Sequence, residues 1–440
     1  MTISSTNHPP KMAITQAPLT KFQRFSVAFC VFLALLFDGV ELGLMPIASL
    51  SVTRDLLKSN YSPQIGADWF AWLTASLMMG AAIGGIAFGR MGDKAGRVRA
   101  LAASVLFYSL FAGLGGLATS LNQLLFLRFL VGLGVGGVWP NGIALAAECW
   151  TGLSKPSLSG FLGSAINVGI LGLSQVARLH PITPDSWRWL FQCCAAPGLL
   201  GLFILRFLPE SPQWIQIQSN ATTSHLPTPP AKYNSARNRP TLLLAIFLGT
   251  IPLLGAWAAS KWMIPWADQI AGPSNPTYKA AAQGWWALGA SLGGFLGALI
   301  AGRLGPKLSF ALFGALSTIA TCSLFLLTRP LSPFFLPLVF TQGLIATLFF
   351  GWLPLYLPAM FPTEIRATST GIAYNTGRFL TALGVLASSL LVRWFDGDYS
   401  AIGAAAGCIY AIAIPAAFFI PDPLVTRSAH ISNHPESPKS

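Results

Sequence analysis

Twelve times along this chain a predominantly apolar run recurs that is long enough to cross roughly 30 Å of hydrocarbon. The runs fall at about 24–49, 66–88, 99–119, 121–147, 157–179, 187–208, 240–262, 279–302, 308–328, 331–360, 368–393 and 399–420. In lipid no water satisfies the backbone, so each run must close its own hydrogen bonds as a helix. Composition points the same way. Only 9% of the 440 residues are charged, and the mean hydropathy is +0.60. Soluble domains carry about 25% charged residues, so this chain has too little polar surface to coat a water-facing globule. The 43 glycines and 14 tryptophans suit close helix packing and interfacial anchoring. The expected fold is an all-α membrane protein with twelve transmembrane helices.

The longest polar interruption, 209–239, is rich in Pro, Ser, Thr and Asn and divides the spans into two sets of six. The expected organisation is a cytoplasmic N-terminal tail (1–23), a six-helix half (24–208), a cytoplasmic linker (209–239), a second six-helix half (240–420) and a cytoplasmic C-terminal tail (421–440). Orientation follows from the basic residues. With the N-terminus inside, about 17 of the 27 Lys and Arg lie on the cytoplasmic side and about 8 outside, leaving Arg128 and Arg378 within helices. Because the basic residues sit at the ends of apolar runs rather than in one patch, the net charge of +13 reflects this placement and not a nucleic-acid surface. The polar stretch before Lys21 has no short apolar core with a cleavage site, so no removable signal is expected. The six cysteines (Cys30, Cys149, Cys193, Cys194, Cys322, Cys408) lie in or beside apolar runs without metal or disulfide spacing and read as packing residues.

The halves repeat. GGIAFGRMGDK (Gly84 to Lys94) recurs as GALIAGRLGPK (Gly297 to Lys307), and Gly80, Gly84, Gly89, Arg90 and Lys94 meet Gly293, Gly297, Gly302, Arg303 and Lys307. Two like halves imply a binding region between them near mid-membrane.

The fourth run, RFLVGLGVGGVWPNGIALAAE (Arg128 to Glu148), is the most informative. Gly132, Gly134, Gly136 and Gly137 let another backbone approach, and Pro140 is expected to break the hydrogen-bond ladder. An arginine inside such a helix costs a few kcal/mol unless it faces a partner. The stretch reads as one wall of an internal polar pathway; the plainer reading is a packed helix whose arginine snorkels to the interface.

GRMGDKAGRVR (Gly89 to Arg99), between the second and third helices, resembles the cytoplasmic loop signature of the major facilitator superfamily. Its glycines permit a tight turn, Asp93 can sit at a neighbouring helix N-terminus, and Arg97 can pair with a carboxylate on another helix. LPESPQW (Leu208 to Trp214) resembles the PESPRW element of sugar porters and organic-ion members, with Gln213 in place of the arginine. The resemblance makes Glu210 and Glu148 partners of Arg97, with Arg206 or Lys155 able to substitute for the missing guanidinium. In the second half Pro306 stands at Asp93 and Ser309 at Gly96, while FPTEIRATSTG supplies Glu364 and Arg366 as counterparts. Together with Gly89, Lys94, Gly96 and Arg303 these residues form an expected cytoplasmic gating network.

FDGVELG in the first helix sets Asp38 and Glu41 at i and i+3 on one face. Carboxylates so close in an apolar helix do not readily ionise together, which makes one of them a proton acceptor; the plainer reading places Glu41 at the outer interface as a solvated end. The motif resembles the DGxD of the aromatic acid:proton and sialate:proton symporters, with Glu for the second Asp. By that resemblance Arg128 pairs with the first-helix carboxylate and is released on protonation. IAYNTGRF in the eleventh helix puts Tyr374 and Asn375 within a turn of Arg378, which reads either as the receptor of a substrate carboxylate or as an inter-helix brace. Asn141, Asn167, Gln175 and Gln342 are further polar residues expected to line a cavity, and Trp139, Trp285, Trp286 and Trp352 either stack on a ring or pack the core and interfaces.

No histidine lies in a span, and no Walker loop, Ser/His/Asp arrangement or metal-ligand cluster occurs, so neither an enzyme nor an ATP-driven pump is expected and no cofactor is implied. The resemblance covers the chain from first helix to twelfth. It implies alternating-access transport, with proton-coupled symport of a small organic anion as the leading reading. Its partners would be the small-molecule substrate, protons and the lipid bilayer, with no nucleic acid, acting as a monomer in the cell membrane. A neutral-sugar symporter, a drug:proton antiporter and a non-transporting solute sensor are the alternatives.

Overall fold

The computed structural model describes residues 19–149, 155–223, 235–272, 274–357, 360–361 and 366–421. Twelve helical spans long and apolar enough to cross a membrane appear among them. They are α1 (Lys21–Asn60), α2 (Pro63–Ala95), α3 (Arg97–Gly115), α4 (Leu121–Cys149), α5 (Gly160–Leu179), α6 (Arg188–Phe207), α7 (Arg239–Ala271), α8 (Tyr278–Leu304), α9 (Pro306–Leu327), α10 (Phe335–Tyr356), α11 (Gly371–Trp394) and α12 (Tyr399–Phe419). No strand occurs among the described residues. The stretch expected as a linker contains a further short helix, Pro212–Thr223. Glu364 lies outside the described residues.

Local chemistry sets the helix ends. Thr20 accepts from the backbone N–H of Gln23, whose side chain accepts from Thr20 N–H, a reciprocal cap at the start of α1. Ser62 caps α2 with Pro63 at its first position, and Asp398 caps α12.

The signature read as a loop over Gly89 to Arg99 is instead mostly helix. α2 continues to Ala95 and the turn is made by Gly96 alone, at φ +110°. Gly305, at φ +79°, makes the matching turn in the second half, so Pro306 begins α9 and Ser309 lies a turn inside it. The expected correspondence of Pro306 with Asp93 and Ser309 with Gly96 therefore breaks at the hinge. Pro306 is a helix-start residue there, where its missing N–H costs nothing. Pro140 removes one rung of the ladder inside α4, and the helix is continuous through it, because packing against α2 and α3 holds the segment across the missing hydrogen bond.

Glycines bring the helices into backbone contact. A Cβ at Gly80, Gly84, Gly132 or Gly136 would stand 1.9–2.2 Å from a backbone oxygen across the α2–α4 seam. Gly293 and Gly297 do the same on α8, facing the carbonyls of Leu344 and Leu348 on α10 at 2.0 and 2.1 Å. The repeated glycines thus perform one task twice. Gly134 and Gly137 turn to the other side of α4, against Tyr108 and Ser104 of α3.

The halves meet along two seams, α2 with α11 and α5 with α8. Because α8 and α11 are the repeats' counterparts of α2 and α5, the seams are related by the pseudo-two-fold of a twelve-helix, two-repeat fold. Large apolar side chains such as Phe126, Leu202, Phe203, Phe247 and Phe418 remain exposed on the outside, as a lipid-facing belt requires. Below, the side on which α1 begins is the tail face, and the opposite side is the far face.

Candidate functional site

Glu41 and Arg128 are 1% exposed and Asp38 is fully buried. Arg128 Nη1 donates to Glu41 Oε2 at 2.7 Å, and its Nη2 donates to the Glu41 backbone carbonyl at 3.0 Å. The fork therefore grips one residue twice, fixing the α1–α4 register at the level of the pair. Close passage is needed there: Gly39 and Gly169 pack backbone on backbone between α1 and α5, with would-be Cβ atoms 1.9 and 1.8 Å from the carbonyls of Ile166 and Leu36. Asp38 has a different environment. Among the described residues neither of its carboxylate oxygens has a hydrogen-bond partner. Arg378 on α11 is near enough for its charge to act on Asp38, as is Glu41.

Arg378 is itself buried, its guanidinium carbon 5.0 Å from the centre of the Tyr374 ring. Tyr374 stacks on Trp139 of α4 with centroids 4.8 Å apart and planes 13° from parallel. Asn375 lies against Gly85 of α2, whose Cβ would fall 2.3 Å from Asn375 Oδ1. These contacts join α11 to α4 and α2 on the tail side of the acid cluster.

The other polar residues divide. Asn141 donates to the carbonyls of Phe88 (3.1 Å) and Gly137 (2.8 Å), and Asn167 to that of Ala290 (3.2 Å) across the α5–α8 seam. Gln342 accepts from Trp286 Nε1 at 2.8 Å and donates to Ser260 and Thr321, so its amide is spent inside the second half. Gln175 does not join the buried set. It is exposed and accepts from Arg178 at 3.3 Å, while its Nε2 faces α8, 3.2 Å from where a Cβ on Gly284 would stand. Trp285 is 43% exposed, while Trp352 is buried and donates to the Pro306 carbonyl at 3.0 Å.

Residues 25–225 match the family described as "Sugar (and other) transporter". The chain is 30% identical over 329 residues to a sialic acid transporter of Escherichia coli, covering 72% of this chain and 75% of that protein. It is 29% identical over 369 residues to the cis,cis-muconate transport protein of Acinetobacter baylyi, covering 82% and 86%. The crystal structure of a D-xylose–proton symporter superposes with a TM-score of 0.66 at 18% identity, over 90% of this chain and 98% of that one. The chain belongs to the major facilitator superfamily. It is a multi-pass membrane transporter of small molecules and not an enzyme.

The superfamily signature at the tail face is assembled differently from the sequence expectation. Asp93, near the end of α2, pairs across the Gly96 hinge with the guanidinium of Arg97, the first residue of α3, while the cap of that helix comes from elsewhere. That role falls to Glu210, which accepts from the backbone N–H of Arg97 (2.9 Å) and Val98 (3.2 and 3.1 Å) at the start of α3. Gly96 leaves the space Glu210 needs, since a Cβ would sit 2.2 Å from Glu210 Oε2. Arg97 Nε lies 3.6 Å from Glu148 Oε1, and Trp214 Nε1 donates to the Asp93 carbonyl at 2.9 Å. Lys94 and Arg303 are exposed, and a Cβ at Gly89 would meet nothing within 4 Å.

The charges at the far face of this superfamily member are not legible in the sequence as a group, because Lys261 and Lys279 fall where a helix end is indistinguishable from a loop. α7 does not stop near 262. It passes through a π turn (Gly255–Ala259) and a 3-10 turn (Ser260–Trp262) and then runs on as helix to Ala271. Lys261, Asp268 and Lys279 are all buried as a result. Asp268 Oδ1 lies 3.3 Å from Lys279 Nζ, and its Oδ2 lies 3.6 Å from Arg54 on α1. Lys279 also donates to Ser51 at 3.2 Å, and Gln283 to the Gly43 carbonyl at 3.1 Å. Arg393 and Asp68 join α11 to α2 at 3.4 Å. The far face is thus latched across the halves.

Proposed function

We propose that this transporter is a proton-coupled symporter of a small organic anion, working as a monomer in the cell membrane with both termini cytoplasmic and its halves (24–208 and 240–420) moving as bodies. The observation that carries the reading is Asp38, a fully buried carboxyl without a hydrogen-bond partner among the described residues, adjoining the Glu41–Arg128 pair. An ionised carboxylate held that way costs several kcal/mol, and protonation removes the cost. A proton taken up by Glu41 loosens the hold on Arg128, and one taken up by Asp38 removes the charge that acts on Arg378; either makes the switch between faces easier, and release on the other side restores the charge. Arg378, held by Tyr374 and near Asp38, is a receptor for a carboxylate of the substrate, because a guanidinium fork matches two oxygens. Relatives named for muconate and sialic acid transport support an acidic substrate. The network of Arg97, Asp93, Glu148 and Glu210 acts as the cytoplasmic latch, and the Asp268 cluster as its outer counterpart.

The test is uptake by purified protein in proteoliposomes under an imposed pH gradient, comparing carboxylates, neutral sugars and a cationic dye. Gradient-driven accumulation of a carboxylate is the expected result. Accumulation of a neutral sugar alone would return the function to the sugar-symporter alternative.

A further inference from the structure

We propose that Lys261 forms a carboxylate-binding subsite in the second half, on an aromatic wall made by Trp257 and Trp286, and that it selects acids with a planar, apolar body. The inference rests on the organic-anion reading above and adds a group that neither the sequence motifs nor the relatives' names identify. Lys261 is 2% exposed, and among the described residues its ammonium has no hydrogen-bond partner and no ion pair. Its Nζ lies 3.5 Å from the centre of the Trp286 ring and 5.7 Å from that of Trp257. Two aromatic faces stabilise a cation only in part. A buried ammonium still lacks the acceptors it had in water, and an anionic ligand supplies them.

The wall is built to stay in place. Trp286 is pinned through its indole N–H to Gln342, which in turn binds Ser260 and Thr321, and Ser260 lies beside Tyr410 at 3.3 Å. Lys261 sits where α7 leaves α-helical geometry, a break that membrane helices tolerate where they line a site. Gln283, three residues before Trp286 on α8, is fully buried and leaves its Oε1 unpartnered while its amide N–H donates to Gly43 on α1. Gly43 is two residues from Glu41, so this wall faces the first helix close to the proton-binding pair. Lys261 offers a cation and the tryptophans their faces, and Gln283 adds a spare amide oxygen one turn away along α8. That set recognises a carboxylate on a flat unsaturated or aromatic frame and has few partners for the hydroxyls of a sugar acid.

Binding to the purified full-length protein tests this, with benzoate and sorbate as probes and benzamide as the neutral control. The expected result is that the wild type binds both acids and discriminates against benzamide. Lys261→Met and Lys261→Gln should each weaken acid binding by about tenfold or more. No binding of either acid to the wild type, benzamide binding as tight as benzoate, or wild-type affinity in either uncharged variant overturns the subsite. Benzoate uptake under a pH gradient, measured in parallel on the wild type, separates the two claims. Gradient-driven uptake with unchanged binding in the variants sinks the subsite alone; lost binding in the variants with uptake indifferent to the gradient keeps the subsite and sinks the coupling.

Discussion

Arg128 holds Glu41 by side chain and main chain at once, 2.7 Å from Oε2 and 3.0 Å from the backbone oxygen. The double grip ties a proton-titratable group to the position of α1 relative to α4, so a change in charge there becomes a change in helix contact.

Removing one partner leaves the other charge buried and alone. Glu41→Gln should cost about 3–5 kcal/mol of stability and lower the unfolding midpoint of the detergent-purified protein. Adding Arg128→Met to it should recover most of the loss. A single variant that melts with the wild type contradicts the pairing energetics.

Asp38→Asn should behave oppositely. Since Asp38 has no hydrogen bond to lose among the described residues, the neutral amide is expected to leave stability within about 1 kcal/mol of wild type or raise it, while pH-gradient-driven accumulation disappears. Intact accumulation in that variant, or in Glu41→Gln, would take the corresponding carboxyl out of the coupling step.

The far-face latch predicts a shift in conformational population. Asp268→Asn weakens contacts to both Arg54 and Lys279. Spin labels at the exposed positions Asn60 and Gln269, on opposite halves, should then report a longer mean separation. An unaltered distance distribution means the latch does not govern opening.

Glycine substitutions separate packing from gating. Gly84→Ala forces a Cβ to 1.9 Å from the Leu133 carbonyl, and overpacking of this kind costs about 1–3 kcal/mol. Gly89→Ala meets nothing within 4 Å and should raise helix stability by up to about 1 kcal/mol. If the second variant is stable yet transports poorly, Gly89 is needed in the opposite-facing state; full activity removes it from the gate.

Glu210→Ala removes the cap from α3. The expected loss is about 0.5–2 kcal/mol, concentrated in faster amide exchange at Arg97 and Val98. Unchanged protection of those two amides rules out the capping role.

The repeat was legible because the same glycines recur in register and face the same carbonyls in each half. The hinge was not: Gly305 and Gly96 are out of register, and only the backbone angle reveals which glycine turns the chain. The burial of Lys261 and Lys279 was not legible either, because sequence hydropathy falls at a helix break as it does at a loop.

By itself the sequence determined the solvent, the number of crossings, the duplication and the presence of costly charges within helices. Those follow from composition and spacing, which lipid constrains residue by residue. Only the tertiary structure decided which charges meet. It left Asp38 unpartnered while Glu41 took the arginine, set Glu210 on a helix start and turned Lys261 toward two tryptophans. Pairing depends on how helices distant in sequence are rotated and staggered against one another, and that is settled by packing across the whole bundle.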